Sequence, residues 1–255
     1  MKQLLNLTCF FLKRRLKDGF TIGYNLIFPV IMVLLLGYLT NRNFGDIVSS
    51  YQYYAIVTIP FCILMSITTA AYAAKDCAYQ KTAMRFVIAP VSTTQILMAN
   101  VLSCTIAFFL CYFVLFFGVV WIYRLAFSMT WLYIPLLYLS MSFLVSAIGT
   151  WIGNGMKDFL IIKNIMNIPV GLLAFLGGCF YPIGSMNHIF RFIIHLSPLT
   201  WINQAMFRCV FSESETNAVL TSMLLFLVGF VCCLIGRRSF RKEEFLYGEL
   251  PGYEK

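Results

Sequence analysis

Few side chains in this sequence have types and spacings that could do chemistry. His188 and His195 stand seven residues apart without acidic neighbours, so they form no metal or catalytic set. The nine cysteines contain no C-x-x-C pair and no Cys/His zinc pattern. No G-x-x-x-x-G-K-[ST] run occurs, so the chain supplies no standard P-loop of its own. Asp and Glu are confined to loops and tails, which argues against a proton- or sodium-driven carrier and against a membrane hydrolase. What remains is a charged cluster, Lys75, Asp76, Lys81 and Arg85, inside the run KDCAYQKTAMRFVIAPVSTTQ at 75–95, between two long apolar stretches.

Those charges keep the 75–95 stretch out of hydrocarbon. Lys81 and Arg85 are one helical turn apart and share a face if the segment is helical. Pro90 disfavours helix at the residue before it. Ser92-Thr93-Thr94-Gln95 then fits a capping box ahead of the next apolar run. The expectation is a short basic helix that stops at Pro90 and a new helix that enters the membrane at Ser92. A rigid element tied to two membrane helices is placed to receive a push from a partner. The plainer alternative is an ordinary cytoplasmic loop obeying the positive-inside rule.

The elements that position this cluster follow from composition. Hydrophobic residues make up 60% of the chain and charged residues 11%, against roughly a quarter charged in soluble domains. The fold class is therefore an all-α membrane protein, in one domain over 1–255. Residues 1–18 predict an interfacial helix, with one stripe of Leu5, Cys9, Leu12 and Leu16 and another side of Leu4, Leu7 and Phe11. Six apolar runs follow, each near the ~20 residues needed to span a bilayer. They cover about Phe20 to Leu39, Tyr51 to Ala74, Ile96 to Tyr123, Trp131 to Gly153, Leu160 to Tyr181 and Ala218 to Gly236. The outer segment 182–217 is broken into pieces too short to cross. Two short helices with a break near Pro198 are expected there, forming a lid that includes Pro182, Pro198 and Trp201.

The net charge of +9 reads as topology and headgroup contact, with no nucleic acid partner. Fifteen of the 19 Lys and Arg fall in the N-terminal arm, the 75–95 loop, the loop between spans four and five, and the C-terminal tail. The other side has Arg42, Arg124, Arg191 and Arg208. Both termini are therefore expected in the cytoplasm, in a multi-pass protein of the plasma (inner) membrane.

Polar and kinking residues within the spans mark a candidate translocation path on spans one, two and five. They are Asn25 and Pro29, then Thr58, Ser66 and Thr69, then Asn164, Asn167 and Pro169. Leu172, Phe175 and Leu176 continue the span-five face by three- and four-residue steps as an apolar constriction. The bland reading of each is ordinary helix–helix contact. Gly149-x-x-x-Gly153 could permit close helix approach. Cys179 and Cys209 both fall near the outer face and could pair.

Two stretches taken together carry a family resemblance. The charged loop ends in Ala89-Pro90-Val91-Ser92. The outer segment reads Gly177-Gly178-Cys179-Phe180-Tyr181-Pro182 and later Leu196-Ser197-Pro198-Leu199-Thr200-Trp201. The chain resembles the ABC-2 permeases, the membrane subunits of type V ABC exporters, over nearly its whole length. The resemblance implies a coupling loop that meets a separate ATP-binding subunit through Lys75, Asp76, Lys81, Arg85, Pro90 and Ser92. It implies a second permease subunit, identical or a paralogue, and an apolar gate between the two at Leu172, Phe175 and Leu176. ATP and Mg would be bound by the partner ATPase, with no cofactor in this chain. The expected function is export of an amphipathic or hydrophobic substrate, such as a drug, an antimicrobial peptide or a lipid-like molecule. A non-transporting membrane scaffold or sensor subunit is the alternative, and a membrane-embedded transferase would need a catalytic set that the sequence lacks.

Overall fold

In a computed structural model, the structure describes residues 2–41, 49–79, 82–88, 91–123, 132–156, 159–180, 194, 197–212, 216–240 and 245. Among these, the architecture is helical and has no strand. Helix α1 is Lys2–Arg15, α2 is Gly19–Thr40, α3 is Ser50–Met65 and α4 is Ile67–Tyr79. Next come the short α5, Ala83–Ile88, and the long α6, Thr93–Tyr123. Then follow α7, Tyr133–Gly155, α8, Phe159–Leu176, and α9, Pro198–Phe207. A π-helical turn at Arg208–Ser212 leads to α10, Thr216–Arg238.

Local side-chain chemistry sets several of these boundaries. Asp18 caps α2 by accepting from the Thr21 backbone N–H at 3.3 Å and from its hydroxyl. Ser49 and Gln52 form a capping box at α3. The box expected at Ser92 is present: Gln95 N–H donates to Ser92 Oγ at 3.3 Å, and Ser92 N–H to Gln95 Oε1 at 3.0 Å. Span two is broken between α3 and α4 at Ser66, where the sequence predicts one helix. The Ser66 hydroxyl bonds the Cys62 carbonyl at 2.9 Å, the back-bonding that bends helices.

α7 is the hub, packing on α10, α4 and α6. The interior lies along α3, α4 and α7, while α2, α6 and α10 carry most of the exposed apolar side chains. Such an inside-out distribution suits helices whose outer faces meet lipid. The Gly149/Gly153 pair does permit close approach. A Cβ at Gly149 would stand 2.5 Å from Ala70 Cβ, and one at Gly153 would stand 2.6 Å from the Ala71 carbonyl oxygen.

Among the described residues, five helical stretches are long and apolar enough to cross a membrane: Thr21–Thr40, Ser50–Cys77, Thr93–Ile122, Tyr133–Gly155 and Asn217–Arg238. The fifth apolar run of the sequence is shorter than expected. α8 ends at Leu176, and Gly178 takes φ 73°, a left-handed position that terminates the helix. Gly177 and Gly178 therefore close the helix where the sequence reading extends it to Tyr181.

Candidate functional site

At the charged end of the bundle, the side chains of α1 reach α4. Arg14 and Arg15 both pair with Asp76, the latter at 3.2 Å. Arg15 also donates to the Ala73 carbonyl and, at 3.3 Å, to Asn100 Oδ1 on α6. Lys75 and Asp76, expected in a loop, lie on α4, because the helix runs on to Tyr79. Lys75 is 2% exposed, so it is no surface contact.

The short helix expected before Pro90 forms as α5, and it hangs on α1. Phe86 packs on Phe11 with ring centroids 5.6 Å apart. Ala83 enters a small cluster with Phe11, Cys77, Ile96, Ala99 and Phe245. The opposite side of α5 presents Met84, Arg85 and Ile88 to solvent. Lys81 and Pro90 lie outside the described residues. Ser92 acts as the cap of α6. α1 itself turns Leu4, Leu7 and Phe11 inward and leaves Leu5 and Cys9 exposed, as is Leu16 just beyond its end.

Halfway along the bundle, the break at Ser66 anchors a sealed polar knot. Asn25 Oδ1 accepts from Ser66 Oγ at 2.7 Å and from the Tyr112 hydroxyl at 2.6 Å. Asn25 Nδ2 donates to the Thr21 carbonyl at 2.7 Å. Tyr112 also lies 2.8 Å from the Cys62 carbonyl. α2, the α3–α4 break and α6 are thereby joined. Asn25, Ser66 and Tyr112 are wholly buried, and Thr58 and Thr69 nearly so. Pro29 is buried within α2. The span-one and span-two members of the candidate path are thus packed inside the subunit.

At the other end, α9 caps α8. Ser197 donates to the Leu173 carbonyl at 3.0 Å, Thr200 to Leu176 at 3.3 Å and Asn203 to Gly177 at 2.8 Å, satisfying carbonyls that a helix end leaves open. Tyr53 and Tyr54 of α3 donate to the Gly178 and Phe180 carbonyls at 2.8 and 2.9 Å. The Gly177–Phe180 turn is thereby pinned from two sides. Pro198 opens α9 at its first position, where its missing N–H costs nothing, and nearly all of the short helix expected before it lies outside the described residues. Trp201 is half-buried, and Pro182, His188, Arg191 and His195 lie outside the described residues. Cys179 and Cys209 are both buried thiols and form no disulfide.

The sequence profile of the ABC-2 type transporter family matches residues 2–211. The chain belongs to that family. No match is found among curated proteins. The protein is thus a multi-pass membrane permease component of an ABC transporter, a class of subunit that associates with an ABC ATPase.

α8 of this permease turns a continuous face away from its own bundle. Asn164, Asn167 and Pro169 are exposed, Leu172 and Phe175 are 61% and 64% exposed, and Leu176 is half-buried. The structure separates this face from the Asn25–Ser66 knot.

Two features were missed in the sequence. Arg14 and Arg15 read there as topology charges, and only the fold pairs them with Asp76. On α7, Tyr138, Ser142, Ser146, Thr150 and Asn154 recur every four residues, a spacing visible in the sequence. All five are buried, and each has side-chain N or O atoms without a hydrogen-bond partner among the described residues.

Proposed function

We propose that this permease is the membrane half of an ATP-driven exporter of amphipathic or hydrophobic molecules, worked by a separate ATPase that binds ATP and Mg. The observation that carries the reading is the geometry of α5. A short helix held by Phe86 against α1 presents Met84, Arg85 and Ile88 outward. An apolar pair around a cation offers a docking knob to a soluble partner. A push on α5 reaches α4 and α6 through the cluster behind it and through the Arg14–Asp76 and Arg15–Asp76 pairs.

In this reading six spans cross the bilayer, α8 being the short fifth, and α1 lies along the headgroups. Both termini face the cytoplasm. Cysteines placed at Asp46 or Ser214 react with an impermeant label from outside, and one at Lys157 does not. Labelling of Lys157 from outside overturns this topology.

Two permeases meet across the exposed face of α8. Asn164 and Asn167 form a polar mouth, and Leu172, Phe175 and Leu176 form the apolar gate. The buried group of Asn25, Thr58 and Ser66 serves as the pivot about which the α3–α4 break works. Pro198 and Trp201, with Pro182, belong to the outer lid.

The test is Met84→Glu/Arg85→Glu in the complex purified with its ATPase. The expected result is normal membrane insertion with loss of ATPase co-purification or of cargo-stimulated ATP hydrolysis. Unchanged stimulation overturns the coupling role and favours a scaffold. Cross-links between copies at position 175 test the gate.

A further inference from the structure

We infer that the cavity between α1, the start of α2 and α4 is a binding site for the phosphodiester headgroup of an anionic phospholipid. The inference needs only that the chain spans a membrane, and it holds whatever the cargo is. The cavity encloses ≈ 800 Å³. Among the described residues, four cationic side chains line it against two carboxylates.

The carboxylates are already engaged. Asp76 takes Arg14 and Arg15, and Asp18 caps α2 through Thr21. Lys13 and Lys17 make no ion pair among the described residues, and both are exposed at the rim. Arg15 is 5% exposed, and its Nε has no acceptor among the described residues. The cations left for a ligand are therefore Lys13 and Lys17, and phosphodiester oxygens supply the charge and acceptors that suit them.

The lining is also apolar in part, with Phe10, Tyr72 and Ala73 standing among the charges. A headgroup fits the cations, and the glycerol and first methylenes fit the apolar part of the lining. A zwitterionic lipid would bring its own ammonium beside Lys13 and Lys17, so a net negative headgroup is preferred. Free inorganic phosphate shares the oxygen chemistry but lacks the apolar part.

The experiment is native mass spectrometry of the full chain, purified in detergent and stripped of lipid. It is titrated separately with phosphatidylglycerol, phosphatidylcholine and inorganic phosphate. The wild type should hold one phosphatidylglycerol about thirtyfold more tightly than phosphatidylcholine, a preference of the size two surface cations give. Lys13→Gln/Lys17→Gln should abolish that preference. Both lysines are exposed, so the variant should fold, and retained size-exclusion behaviour checks this. Arg237→Gln/Arg238→Gln, a basic pair outside the cavity, should keep the preference. Equal binding of the two lipids by the wild type overturns the proposal. So does an undiminished preference in the lysine variant, or displacement of the lipid by millimolar phosphate, which would mark a free-anion site.

Discussion

Tyr112 of α6 donates its hydroxyl to the same Asn25 oxygen that Ser66 reaches, at 2.6 and 2.7 Å. Three helices thus meet at one buried acceptor, beside the only break in span two. Tyr112→Phe removes one donor and leaves Ser66 in place, so a loss of about 0.5–1.5 kcal/mol is expected. Asn25→Leu removes the shared acceptor and should cost more, about 1–3 kcal/mol. A double-mutant cycle on Tyr112 and Ser66, read by unfolding in detergent, should give a coupling near the ~0.6 kcal/mol average for membrane hydrogen bonds. Strict additivity would mean that the knot is not a unit.

The α4–α7 contact depends on glycine. At Gly149 the first side-chain carbon would fall 2.6 Å from the Ile67 carbonyl oxygen, which is backbone and cannot step aside. Gly149→Val should therefore cost about 1–3 kcal/mol or more by forcing the helices apart. Gly171→Ala and Gly118→Ala meet nothing within 4 Å. They should be neutral, or stabilise by up to about 1 kcal/mol through helix propensity. Thermal unfolding of the three variants side by side checks the order.

Asp76→Asn leaves Arg14 and Arg15 without their carboxylate. Arg15 is buried, so the loss should approach the several kcal/mol of a broken buried pair. Arg237→Gln, on an exposed side chain, should lie within about 0.5 kcal/mol of the wild type. A fall in the unfolding midpoint of Asp76→Asn alone is the expected result.

Cys9 is exposed, whereas Cys179 and Cys209 are buried. A maleimide should modify Cys9 in the folded protein and reach the other two only after denaturation. Masses measured with and without reductant should agree, because neither of the buried pair forms a disulfide. A mass difference of two hydrogens between those samples would contradict this arrangement.

The buried hydroxyls of Tyr138, Ser142, Ser146 and Thr150 on α7 have no hydrogen-bond partner among the described residues. Removing a buried hydroxyl that lacks a partner should be neutral or stabilising. Ser146→Ala is therefore expected to unfold no earlier than wild type. An earlier unfolding midpoint would mean that the hydroxyl is satisfied in the folded protein.

Much of this protein is local and was legible in the order of its residues. The apolar runs, the Ser92–Gln95 capping box, the short helix before Pro90 and the start of α9 at Pro198 all depend on neighbours a few positions away. The family, too, was readable from the Pro-Val-Ser and Gly-Gly-Cys-Phe-Tyr-Pro motifs, and the profile match over 2–211 agrees. Which polar residue faces which way was decided by tertiary structure. Asn25 and Asn164 are the same residue type within apolar helices, yet one is wholly buried and the other exposed. The break at Ser66 has no proline to announce it, because the hydroxyl bends the helix while it also serves partners 41 and 46 residues away. Arg15 and Lys13 are both cations of α1, and only the fold turns Arg15 toward α4. Hydropathy and spacing report the cost of leaving water, a property of each segment. Pairing across helices depends on which segments pack together, and only the folded bundle determines that.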